Sequence, residues 1–141
     1  MSVSIKKVTL WRTEVENKPG ALSGVLAPLA EAGADLQVVM GYHYHGGADS
    51  AVIEVCPVKG KKSITAAGKV GLKAAAIPTL LVQGDNKAGL GHAIAENIAA
   101  AEINVTFLVA QVIGTQFSAI MGFEDEAAAK EAATLVKKIA K

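Results

Sequence analysis

The sequence predicts an α+β fold built from two similar copies, each an antiparallel sheet with helices on one face. A repeated loop, a shared register and a shared element order lead to it. Asn17-Lys18-Pro19-Gly20-Ala21-Leu22 and Asn86-Lys87-Ala88-Gly89-Leu90-Gly91 both stand between an apolar strand-like run and an amphipathic helix-like run, about 69 positions apart. The register holds beyond the loop, with Val25 matching Ile94, Leu29 matching Ile98, Ala30 matching Ala99, Ala32 matching Ala101 and Leu36 matching Val105. A slip of one residue then brings Ser50-Ala51-Val52 to Ser118-Ala119-Ile120. A spacing this long exceeds a solenoid unit and suits two small α+β domains.

In the first copy, Val8 to Glu14 alternates and is rich in strand formers, which predicts a strand. Pro19 pre-sets a helical φ, and Leu22, Val25, Leu26 and Leu29 recur at i, i+3, i+4 and i+7, one apolar helix stripe. Gly33 supplies the stop. Residues 35–44 read as a second strand, Gly46-Gly47 as a turn and residues 49–56 as a third strand. A glycine-weakened helix is expected over 63–70, with Ile64, Ala67 and Val70 inward, and a short fourth strand near 72–76. The second copy repeats the order, with strand 79–83, helix 90–101, strand 103–112, a turn at Gly114 and strand 116–123. Asp125 is a good N-cap for the last helix, Glu126 and Lys130 form an i, i+4 pair, and Ala133, Val136 and Ile139 make its stripe.

Strand, helix, strand, strand, helix, with a final edge strand, is the ferredoxin-like βαββαβ plan. Residues 1–77 are expected to form the first domain and 78–141 the second. The second copy runs out of chain before a full last strand, which would leave strand 79–83 as an unpaired edge. Exposed edges are usually covered, so another part of the chain or a second subunit is expected to fill it.

Composition narrows the function. Half of the 141 residues are apolar and 4% are aromatic, so the cores are built from Ala, Val, Leu and Ile, and small ligands fit better than bulky ones. A formal net charge of +1 gives no field of the kind that draws nucleic acid or anionic membranes. Cys56 is the only cysteine, which excludes an intramolecular disulfide and fits a reducing cytoplasm. No secretory h-region and no apolar run of membrane-spanning length occurs. No triad, paired-carboxylate, Cys/His or phosphate-loop pattern stands out, so neither an enzyme nor a cofactor protein is expected.

The strand running into Glu16-Asn17-Lys18-Pro19-Gly20-Ala21-Leu22 and a Leu-rich helix resembles the ACT domain, a small regulatory module of amino-acid-metabolising enzymes. Asp85-Asn86-Lys87-Ala88-Gly89-Leu90 resembles it too, and the two copies cover nearly the whole chain. The family often carries an acidic residue ahead of Pro-Gly. Here Asn17 and Asn86 stand nearest that place, with Glu16 and Asp85 one step earlier, and Ala88 replaces the proline. The resemblance implies allosteric binding of a small molecule, commonly an amino acid, where the loop and helix start of one domain face a strand of another. It also implies a homodimer or higher homo-oligomer and a metabolic enzyme as partner.

Residue chemistry supports such a site beside the resemblance. A helix N-terminus presents unpaired N–H groups that suit a carboxylate, a glycine there permits close approach, and Asn17 and Asn86 both donate and accept. The candidate ligand residues are Asn17, Pro19, Gly20, Ala21 and Leu22 in the first loop and Asn86, Ala88, Gly89, Leu90, Gly91 and His92 in the second. The second loop, with glycines flanking Leu90, reads as the more open. The same loops are also ordinary turn and capping chemistry, and His92 is equally a solvated first-turn histidine. Gln37, Val39 and Thr106 lie on the strands expected to oppose the loops.

Two alternatives stand beside amino-acid sensing. One is a subunit without a ligand that recognises a partner protein through the uncovered edge. The other is a metal-binding protein using His43 and His45, which share one face of a strand, with Asp49 across the turn. A hairpin end with exposed histidines explains the same residues without metal.

Overall fold

The computed structural model describes residues 3–43 and 49–139, with eight strands and four helices in that span. The strands are β1 (Val3–Val8), β2 (Trp11–Glu16), β3 (Val38–His43), β4 (Ser50–Cys56), β5 (Lys73–Ala74), β6 (Thr79–Asp85), β7 (Val105–Ile113) and β8 (Gln116–Phe123). The helices are α1 (Ala21–Glu31), α2 (Lys61–Lys69), α3 (Leu90–Ala100) and α4 (Glu126–Ile139). The architecture is α+β, with two four-stranded antiparallel sheets in a repeated βαββαβ plan. The chain forms two compact units, one from Thr9 to Ala76 and the other combining β1 with the stretch from Ile77 onward.

In the Thr9–Ala76 unit the strand order is β3-β4-β2-β5. Val25 and Leu29 of α1 bury against Ile53 and Val55 of β4, Ala66 and Ala67 of α2, and Leu72. Leu22, expected in the same stripe, is exposed in the first turn of the helix. Helix α2 is rotated from its expected phase. Ser63, Ala66 and Ala67 are buried while Ile64 is exposed. The reason is spacing: 63, 66, 67 and 70 make a complete i, i+3, i+4, i+7 stripe, whereas 64, 67 and 70 drift around the helix. The first strand of the copy begins at Trp11, not at Val8, because the chain leaves the other unit at Thr9. The expected turn at Gly46-Gly47 lies outside the described residues.

The other unit has the order β1-β6-β8-β7. Strand β1 pairs antiparallel along β6, from Val3 opposite Gly84 to Val8 opposite Thr79. It takes beside β6 the edge place that β5 holds beside β2. The expectation that residues 1–77 form one domain therefore needs correction, since the first strand belongs with the second copy. Its core gathers Leu80 and Val82, Leu90, Ile94 and Ile98 of α3, Ala119, Met121 and Phe123 of β8, and Ala129, Ala132 and Val136 of α4. Val3 and Ile5 pack against it, and Lys7 pairs with Glu126 of α4. Asp125 caps α4 as expected, its Oδ1 accepting from the Ala128 N–H at 2.7 Å.

Strand pairing corrects the alignment of the copies. Glu16 faces Ser50, and Asp85 faces Gln116, so Ser50 corresponds to Gln116 rather than to Ser118. Gly41 faces Ile53, and Ala110 faces Ala119, which keeps the original register through β3 and β7. The slip is therefore three residues, all in the β3–β4 connection. The similar Ser-Ala-aliphatic triplets pointed to the wrong pairing.

Two local packings fix these sheets. A Cβ on Gly122 would lie 2.1 Å from the Phe107 ring, which covers this glycine from the neighbouring strand. Glu54, buried within β4, accepts a 2.7 Å hydrogen bond from the Tyr42 hydroxyl of β3. Burial and this bond push the Tyr42 phenol above its ordinary range, against a smaller opposing effect of Arg12. Gly122→Val is expected to lower the unfolding free energy by about 1–3 kcal/mol in denaturant titration, because the ring must be displaced. Tyr42→Phe is expected to cost about 1–3 kcal/mol at neutral pH by leaving the carboxylate without its donor. A phenol raised on folding contributes stability that is present below the ordinary tyrosine value of 10.0 and lost as pH rises through the folded value. The variant should therefore show a flatter decline than the wild type in that alkaline range.

Candidate functional site

The repeated loops build two helix starts of one form. Gly20 (φ 88°) and Gly89 (φ 81°) hold the left-handed conformation immediately before α1 and α3. Larger residues adopt it only with strain, which is why glycine recurs there. Ala21 N–H donates to Lys18 O and Leu90 N–H to Lys87 O, each at 3.2 Å. Gly24 N–H donates to Gly20 O at 2.9 Å and Ala93 N–H to Gly89 O at 3.0 Å. Asn17 N–H donates to Asp49 O, and Asn86 N–H to Thr115 O, tying each loop to the turn beside it. No side chain caps either helix, in contrast to α4. Each start thus keeps the electropositive character of first-turn N–H groups.

A cleft of about 240 Å³ opens beside the first of these starts. Asn17, Lys18, Ala21 and Leu22 form one side and Gly41, Tyr42 and His43 of β3 the other, over Val15, Ala51, Val52 and Ile53 of the sheet. The volume falls below the range of about 300–1,000 Å³ typical of drug-sized ligands and suits a small metabolite. Gly41 leaves the wall bare, with no atom within 4 Å of a Cβ built there. The Tyr42 side chain is held by Glu54, so β3 enters the site with one residue fixed. Lys18 Nζ lies 3.5 Å from Glu16 Oε2 on the exposed rim.

Of the sequence candidates, Asn17, Ala21 and Leu22 line this cleft. Pro19 and Gly20 shape the turn without lining it. In the second loop Asn86, Ala88, Gly89 and Gly91 are exposed, whereas Leu90 is buried in the core, contrary to the expectation of the more open loop. His92 is exposed, its Nδ1 4.0 Å from Glu96 Oε2. Asp85 Oδ1 accepts from Gln116 Nε2 at 2.8 Å, closing the base of the loop. Gln37, Val39 and Thr106 do not line the cleft. The opposing residues Gly41 and Tyr42, with the sheet residues Val15 and Ala51, were missed. Their signal was only their position on the strand that faces the loop, which needs the β3–β4 register. His43 was singled out for metal and lies in this cleft instead. Among the described residues no group of three or more His, Cys, Asp or Glu side chains could hold a metal ion, and His45 lies outside them. No described helix is long and apolar enough to cross a membrane.

Comparison with protein-family models and with curated proteins returns no match. Solved structures do match in fold. The chain is similar to protein BT0572 from Bacteroides thetaiotaomicron at 14% identity and a TM-score of 0.75, over 92% of this chain and 88% of that one. It is similar to the ligand-free regulatory subunit of aspartate kinase from Thermus thermophilus at 14% identity and a TM-score of 0.67, over 99% and 97%. The regulatory subunit of aspartate kinase from Thermus flavus matches at 14% identity and a TM-score of 0.62, over 100% and 98%. At such identities the likeness is one of fold. The duplicated βαββαβ architecture read from the repeat is the architecture of these regulatory subunits along nearly their full length.

Proposed function

We propose that this chain is a tandem ACT-type regulatory protein without catalytic activity, acting in the cytoplasm and sensing a free amino acid. The observation that carries this reading is the cleft at the start of α1. It combines uncapped N–H groups for a carboxylate, the Asn17 amide as donor or acceptor, and an apolar wall of Ala21, Leu22 and Ile53 for a small side chain. The fold shared with aspartate kinase regulatory subunits supports the same reading. Ligand would act by linkage, stabilising the arrangement or assembly that binds it better. A metabolic enzyme is the partner class that fits this role.

Self-association is part of the proposal, and β7 supports it. Among the described residues β7 ends its sheet, carries no charge over nine residues, and exposes Leu108, Val109, Val112 and Ile113. Apolar side chains on both faces of a long edge strand are what a strand inside a larger sheet carries, and an uncharged strand meets no repulsion from a second copy of itself.

In a thermal-shift panel of the standard amino acids, at least one is expected to raise Tm, with about 2.7 kcal/mol of stabilisation at 100 times Kd. Gly20→Val is expected to remove that response, and no shift with any member at millimolar concentration would favour a subunit that has no ligand. Val109→Lys is expected to lower the mass seen by sedimentation to that of one chain, while an unchanged mass would rule out β7 as the interface.

A further inference from the structure

The two copies began as equivalent loops, yet corrected pairing shows that they differ in the side chains that would occupy the cleft. Ala21, the first residue of α1, corresponds to Leu90, the first residue of α3. Ala21 is half-buried and lines the cleft, whereas Leu90 is 4% exposed and belongs to the core. On the sheet, Val15 faces Ala51 in the first copy, and in the second Gly84 faces Phe117, which is also in the core. The swap within that pair exchanges a valine and an alanine for a glycine and a phenylalanine, so bulk moves from one strand to the other. The Ala-to-Leu exchange at the helix start is matched on the sheet, where Ile53 gives way to Ala119, so the second copy carries at the helix start, buried, the bulk that the first copy keeps on β4. On β3, Gly41 and His43 correspond to Ala110 and Val112 of β7, so the polar wall residue is also lost.

Resting on the amino-acid-sensing reading, we propose that the first copy alone is a ligand site and that Leu90 and Phe117 plug its counterpart. Each chain then takes one ligand, at Asn17, Ala21 and Gly41, and the second copy contributes a filled, self-packed unit. Ala21 is the residue that sets occupancy. Leucine at its position adds three carbon atoms to a helix start that lines the cleft together with Gly41 and Ala51.

The test is isothermal titration of the full chain with whichever standard amino acid gives the largest thermal shift. One molecule bound per chain is expected. Ala21→Leu, which installs the side chain of the second copy, should weaken binding by about 10- to 100-fold while thermal unfolding remains a single cooperative transition. Should that variant fold poorly, Val15→Gly with Ala51→Phe reproduces the second copy's sheet pair and is expected to weaken binding likewise. Leu90→Ala should leave affinity at the first site unchanged, whatever it costs in stability. Two molecules per chain, or binding lost in Leu90→Ala and retained in Ala21→Leu, would overturn the assignment while leaving amino-acid sensing intact. No wild-type response to any amino acid would overturn both.

Discussion

The hydrogen-bonded pairing of β1 with β6 is the constraint on which the second unit rests. Without it, β6, the strand that leads into the second loop, would present a row of unpaired N–H and C=O groups at the sheet edge. The six-residue partner supplies those bonds and lays Val3 and Ile5 over the core formed by α3, α4 and β8. It also dictates the path of the chain. The backbone must complete an edge of one unit, build the whole of the other from Thr9 to Ala76, and then return at Ile77.

Within each unit the loop and helix start depend on a second constraint, a backbone conformation that only glycine takes without strain. Gly20 and Gly89 turn the chain so that the helix begins without a side-chain cap, and Asp49 and Thr115 hold the preceding asparagines by their main-chain N–H groups. What differs is the packing around that common frame. Alanine and glycine around the first start leave a cleft, and leucine and phenylalanine around the second extend the core. Closely similar backbone geometry at the two helix starts is therefore compatible with different packing around them.

Much of the fold was legible in the chain. The 3.6-residue stripe of α1, the glycine stops, the Asp125 cap and strand 116–123 follow from local periodicity and capping chemistry. Non-local pairing was less legible. Val3–Val8 is a short strand with adjacent lysines whose partner is far along the chain, and nothing local to it names β6. The three-residue difference in the β3–β4 connection was hidden because Ser-Ala-Val and Ser-Ala-Ile look alike, although pairing sets them out of step. The site followed the same division. Asn17, Ala21 and Leu22 could be chosen from the loop itself, but Gly41 joins them only through its place opposite Ile53. Leu90 looked accessible between two glycines, and the helix phase turned it inward instead.

The path of the chain has a consequence for modularity. Because β1 lies in one unit and the next strand in the other, no single peptide bond separates the sequence into two self-sufficient folds. A cut after Ala76 frees the β6 edge from covalent connection to its neighbour, and β1 then stays on its unit through strand pairing, the packing of Val3 and Ile5 and the Lys7–Glu126 contact. Moving the Val3–Val8 segment to follow Ile139 would give both units the same uninterrupted element order. The arrangement is in effect a circular permutation of one repeat spread around the other, so the Thr9–Ala76 unit is one continuous segment while the unit of β1 and β6 to α4 is encoded in two.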